Sequence, residues 1–126
     1  MKTLLLLSSI ALFGVAAPEA RAFWFFNSQS SPLLVFNLAI KGRSFLPKEL
    51  SVPAGEKFKL IVSNENLDSS EFESFSLHRE QVITSHSKIT IFLGPLKSGK
   101  YDFFDDFHSG VNGIIKAVPR ATGKSK

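Results

Sequence analysis

The sequence predicts an all-β fold: an antiparallel β-sandwich of seven or eight short strands with Greek-key links. Three observations predict it. Apolar and polar residues alternate with a period of two through several short runs, as in Leu33–Gly42, Lys57–Asn64 and Lys88–Leu93. Gly, Pro, Asn and Ser punctuate the chain between those runs. No segment sustains a 3.6-residue apolar period, although a small helix has room around residues 65–70.

Each element follows in order. The first 22 residues read MKTLLLLSSIALFGVAAPEARA. Lys2 gives a positive start, and Leu4 to Ala17 is an apolar run of signal-peptide length, short for a bilayer span. Ala20-Arg21-Ala22 is a small-x-small cleavage site, which places cleavage after Ala22; a cut near Ala17 is the alternative. The plain rival is an uncleaved anchor. Cleavage implies export, with the periplasm as the expected location and no stable membrane insertion afterwards. Phe23 to Pro32 (FWFFNSQSSP) reads as a flexible lead-in, and residues 33–119 as the domain. In Leu33–Gly42, Phe36, Leu38 and Ile40 share one face. Phe45, Leu50 and Val52 precede a Pro53-Ala54-Gly55 turn, and Phe58, Leu60 and Val62 form the next apolar face. Phe72–Leu77 and Gln81–Thr84 are expected as short strands. Ile89, Ile91 and Leu93 point inward from the next one, and Lys100–Phe104 and Val111–Val118 are the last two. Arg120–Lys126 is a basic tail.

Composition excludes much. The chain has 126 residues, room for one domain and one modest core. Fifteen Lys and Arg against eleven Asp and Glu give +4, a mild excess with no nucleic-acid motif. With no cysteine there is no disulfide, thiolate zinc site, iron–sulfur cluster or blue-copper thiolate. No G-x-S-x-G, phosphate loop or dinucleotide fingerprint occurs.

Two longer stretches carry a family resemblance. FNLAIKGRSFLPKELSVPAGEKFKLIVSNEN resembles the opening half of a cupredoxin, and GKYDFFDDFHSG with VNGIIKAV resembles the closing half. The resemblance covers Val35 to Val118 and implies the cupredoxin-like Greek-key sandwich. Aligned on Gly99, Tyr101 and Phe103, the family's cysteine ligand falls on Asp105 and its following histidine on His108. The only methionine is Met1, so the axial ligand is missing; the first histidine ligand matches Glu73 best, with Glu71 close by. Blue-copper electron transfer is therefore not expected. EFES with L-x-R-E, and FFDDFH later, is similar to the cupredoxin-like domain of bacterial periplasmic iron-uptake proteins of the EfeO type. That resemblance implies iron handling, with iron and/or copper as the bound ion. It also implies a membrane iron permease or another periplasmic iron-uptake component as partner.

Alternation offers an independent reading of the same residues. It puts Glu71, Glu73, Phe75 and Leu77 on one face, the last two core-like, and Tyr101, Phe103 and Asp105 on one face, the first two core-like, with Asp106 on the opposite face. In a cupredoxin topology the carboxylate ends of both faces meet at one pole, below His108. Crowded carboxylates raise each other's pKa, and a cation relieves the repulsion. Glu73, Asp105 and His108 are the expected primary ligands, with Glu71, Asp106 and Glu80 as additions. Carboxylates with one imidazole suit iron, manganese, zinc or Cu(II). The bland alternatives are solvated or capping carboxylates and a backbone-bonded loop imidazole. Arg79 is either a bidentate carboxylate partner or a surface ion pair. His78, which alternation puts on the face opposite Glu73, and His86, in a Ser-rich turn, read as surface residues. The function expected is a binding protein. Copper-assisted Fe(II) oxidation is an enzymatic alternative, and a metal-free interaction module on the same scaffold is the rival from another class.

Overall fold

The computed structural model describes residues 31–121; the expected signal segment, most of the expected lead-in and the end of the basic tail lie outside them. The described residues form nine strands and no helix. These are β1 (Leu34–Lys41), β2 (Ser44–Leu46), β3 (Glu49–Pro53), β4 (Phe58–Asn64), β5 (Ser70–Ser74), β6 (Arg79–Ile83), β7 (Lys88–Leu93), β8 (Gly99–Asp105) and β9 (Asn112–Val118). They make two sheets, ordered β2-β1-β4-β7 and β3-β9-β8-β5-β6. Most neighbours are antiparallel. The pairs β1–β4 and β3–β9 are parallel, because the chain crosses between sheets before returning.

Period-two alternation decides which side chains meet between the sheets. Leu38 and Ile40 of β1, Phe58, Leu60 and Val62 of β4, and Ile91 and Leu93 of β7 are buried on one inner face. Val52 of β3, Phe72 of β5, Phe103 of β8 and Ile115 of β9 face them from the other. Phe103 is the hinge of this core. Its ring stands edge-on to Phe45 (centroids 4.8 Å apart) and stacks on Phe72 (5.3 Å), joining β2 of one sheet to β5 and β8 of the other. Gly113 lies against that ring, where no β-carbon would fit.

The helix allowed for residues 65–70 does not form. Asn64, nearly fully buried, donates from Nδ2 to the carbonyls of Asp68 (2.8 Å) and Ile83 (3.0 Å), and its Oδ1 accepts the Asn66 N–H (3.0 Å). Asn66 in turn bonds both backbone groups of Gly42. Amide side chains thus supply the partners that a helix would have offered this connection.

The stretch around β5 departs from the sequence expectation in phase. β5 ends at Ser74, and its buried residues are Ser70, Phe72 and Ser74. Phe75, expected in the core, is 72% exposed. Leu77 is buried as expected, but from the turn that leads into β6.

Candidate metal centre

The phase of β5 sets the site. Because Phe72 faces inward, Glu71 and Glu73 face outward, away from the core. In β8, Tyr101, Phe103 and Asp105 do share the inner face, as alternation predicts, and Asp106 lies on the other side. Phe72 pairs with Asp105, and Glu73 with Phe104. Glu73 and Asp105 therefore stand at one end of the same sheet but on opposite faces. The expected primary set of Glu73, Asp105 and His108 is not brought together.

Two separate constellations result. The outer one is a grid of carboxylates on β5, β6 and the end of β8. Glu73 stands directly across from Glu80, and Glu71 across from Val82. One step past β8, the Asp106 N–H donates to the Glu71 carbonyl at 3.0 Å, which puts Asp106 on the other flank of Glu71. Four expected ligands, Glu71, Glu73, Glu80 and Asp106, are thus cross-strand or diagonal neighbours. Like charges at such positions destabilise a sheet. Among the described residues no salt bridge reaches any of them. Arg79, which lines a pocket with Glu73 and Glu80, turns its guanidinium to the carbonyls of Leu77, His78 and Phe92 instead. It is not a partner of these carboxylates in this arrangement.

Desolvation and this crowding act together on the two central residues. Partial desolvation, then the charge of Glu80, a hydrogen bond with Glu80, and the charges of Asp106 and Glu73 raise Glu71 above the ordinary carboxylate pKa. Partial desolvation, then Asp106 and Glu80, raise Glu73. A glutamate whose folded pKa is raised stabilises the fold below the unfolded-state pKa and loses that contribution as pH rises through the folded value. The native chain is therefore expected to lose thermal stability from about pH 4 upward, and Glu71→Gln/Glu73→Gln should flatten that fall. Melting curves from pH 4 to pH 7 check this; an unchanged slope contradicts it.

A shallow pocket of about 410 Å³ adjoins the grid, lined by Glu73, Ser74, Phe75, His78, Arg79 and Glu80. Sequence alternation set His78 on the face opposite Glu73. The β5–β6 turn, with His78 at φ 53°, brings it to the same pocket. The Phe75 ring lies beside it, packed against Phe104 with centroids 5.3 Å apart. Among the described residues, no three His, Asp or Glu side chains already converge on one point. The grid is a set of half-buried (Glu71, Glu73) and exposed (Glu80, Asp106) carboxylates, not a closed coordination sphere.

The inner constellation is Asp105 with His108. Asp105 is almost wholly buried. Its Oδ1 accepts the N–H of Glu71 (3.0 Å) and of Phe107 (3.1 Å), and its Oδ2 accepts Nδ1–H of His108 at 2.8 Å. The carboxylate is occupied by the protein itself. Ser70, the inward residue beside Glu71, keeps a buried hydroxyl without a partner; only the register exposes it as part of this pole. A blue-copper centre does not fit here: the chain has no cysteine, the described residues include no methionine, and Asp105 and His108 bond each other.

Fold and sequence comparisons agree on the class. A family model described as cupredoxin-like domain matches residues 5–116, and the chain belongs to that family. A curated relative, Uncharacterized protein RP394 of Rickettsia prowazekii (strain Madrid E), is 43% identical over 76 residues. The match covers 60% of this chain and 61% of that protein, so the chain spans about three fifths of the relative's length. Among solved structures, auracyanin A, a "blue" copper protein from Chloroflexus aurantiacus, superposes with a TM-score of 0.58 at 11% identity. It covers 68% of this chain and 98% of its own. Amicyanin from Paracoccus versutus gives 0.53 at 18% identity, covering 70% and 83%. The metal-binding domain of the Streptococcus pneumoniae Cu(I)-exporting P-type ATPase CopA, solved with Cu(I), gives 0.58 at 12%, covering 67% and 84%. At these identities the likeness is one of fold.

Proposed function

We propose that this cupredoxin-like protein binds a cation on the carboxylate grid of β5, β6 and β8 and serves periplasmic iron uptake, with iron as its cargo. One observation carries the reading: four carboxylates at neighbouring sheet positions, with no basic partner among the described residues. A fold pays in stability for such an arrangement only where it is used. A di- or trivalent ion would offset the desolvation and the neighbouring negative charge that together raise Glu71 and Glu73. All-oxygen donors favour harder ions, and His78 at the adjoining pocket offers one imidazole if the ion is borderline. The resemblance of EFES, L-x-R-E and FFDDFH to EfeO-type sequences supports iron as the ion. It also supports a membrane permease, or another uptake component, as the recipient. Copper has no soft site here, so copper-assisted oxidation is the weaker form of the proposal.

A second reading rests on the exposed Phe75, packed on Phe104 beside the grid. An aromatic ridge next to carboxylates is also what a metal-free module would offer a basic partner. Calorimetric titration with Fe(II) under anaerobic conditions, and with Fe(III)-citrate, Mn(II), Zn(II) and Cu(II), separates the two. The proposal expects stoichiometric binding that Glu73→Gln/Glu80→Gln weakens. No stoichiometric binding of any of these ions leaves the module reading.

A further inference from the structure

We propose that Asp105 and His108 are a positioning pair: from inside the sandwich they hold Glu71 and Asp106 side by side, and they do not touch the cation themselves. This rests on the carboxylate grid being the cation site.

The geometry runs from one buried carboxylate to both outer residues. Asp105 Oδ1 accepts the Glu71 N–H at 3.0 Å, fixing the start of β5 against the end of β8. The next backbone bond is Asp106 N–H to the Glu71 carbonyl at 3.0 Å. The same Oδ1 takes the Phe107 N–H at 3.1 Å, so the chain turns immediately after Asp106. Backbone bonds complete the turn: Asp105 N–H to Val111 O at 2.9 Å, His108 N–H to Asp105 O at 3.1 Å and Val111 N–H to His108 O at 3.3 Å. His108 holds the second carboxylate oxygen at 2.8 Å. With both its oxygens engaged and its side chain almost fully enclosed, Asp105 offers nothing to the outer face. It fixes the neighbours that do. Supporting residues of this kind typically change metal affinity 10–100-fold when removed.

The register explains why a carboxylate serves here. Two backbone N–H groups and one imidazole N–H converge on this inner corner. An anion with two oxygens satisfies all three, and an apolar residue would leave them buried and unpaired.

The test compares wild type with Asp105→Asn, and with His108→Gln as the milder variant should Asp105→Asn fail to fold. Three readouts are taken on ¹⁵N-labelled protein: amide hydrogen exchange at Glu71 and Asp106, Zn(II) affinity, and the His108 ring-nitrogen shifts on adding Zn(II). The pair as a positioning device predicts faster exchange at both amides, a Zn(II) affinity lower by about tenfold or more, and ring-nitrogen shifts that stay where they were. Ring nitrogens moving to metal-bound values would make His108 a ligand and overturn the proposal. Unchanged amide exchange in both variants would overturn it as well, as would unchanged affinity in a protein that binds Zn(II). If wild type binds neither Zn(II) nor any ion of the earlier titration, the cation reading fails; the exchange data then still decide whether the pair holds Glu71 and Asp106 together.

Discussion

Phe103→Ala is expected to lower the stability of the domain by about 3–5 kcal/mol, the range for removing a fully buried aromatic ring. Against the 5–15 kcal/mol typical of a whole domain, that is a large share. The ring is completely buried and contacts Phe45 and Phe72, so its loss leaves both of those rings without their shared partner and loosens one sheet from the other. Gly113→Ala approaches the same place from the opposite direction. A β-carbon there would collide with the Phe103 ring and lie 2.7 Å from the Lys48 carbonyl oxygen, which is backbone and cannot step aside. Overpacking of this kind costs about 1–3 kcal/mol. Chemical denaturation of both variants, of Phe103→Leu and of Phe103→Leu/Gly113→Ala checks the account. The smaller side chain should recover part of what Gly113→Ala loses. A double variant that simply sums the two losses would show that the glycine answers to the Lys48 carbonyl and not to the ring.

The consequences reach the functional face, because Phe103 and Asp105 are consecutive inward residues of β8. Much of this was legible in the chain. Where one face of a strand is uniformly apolar, as with Phe58, Leu60 and Val62, alternation fixes the inner side without help. Tyr101, Phe103 and Asp105 were readable for the same reason, and Asp106 correctly fell on the other face. The stretch Ser70–Leu77 was not. Phe72 and Phe75 are three residues apart, so a period of two can bury one of them but not both. Local pattern favours Phe75 and Leu77. The structure chooses Phe72 because its partner across the sheet is Asp105, thirty-odd positions away, and because the strand stops at Ser74 before the turn. That single phase decides whether Glu71 and Glu73 join the buried pole or the outer face. Asp105 shows the same limit. Its inward orientation follows from alternation, but its hydrogen bond to the Glu71 N–H depends on a pairing that no local pattern contains.

Glu80→Lys is expected to do two opposite things at once. Glu80 stands directly across from Glu73 and diagonal to Glu71, and its charge contributes to raising both of their pKa values. A lysine there replaces a like-charge pair with an opposite-charge pair at the same cross-strand position. The metal-free protein should therefore melt at a higher temperature at pH 7. The gain should shrink as pH falls toward about 4, where carboxylates begin to take up protons and the native repulsion fades by itself. Cation binding should weaken by more than about tenfold, since the substitution removes a donor and adds a positive charge beside the remaining three. Melting curves at both pH values and calorimetry on the same sample read the two effects independently. A stability gain with binding intact would move the cation site off this grid. A stability loss at pH 7 would mean that the four carboxylates do not oppose one another in solution, and the argument for a cation on this face would lose its physical basis. The predicted combination, a more stable protein that binds less, is the outcome expected when repulsion is kept in a fold because a ligand relieves it.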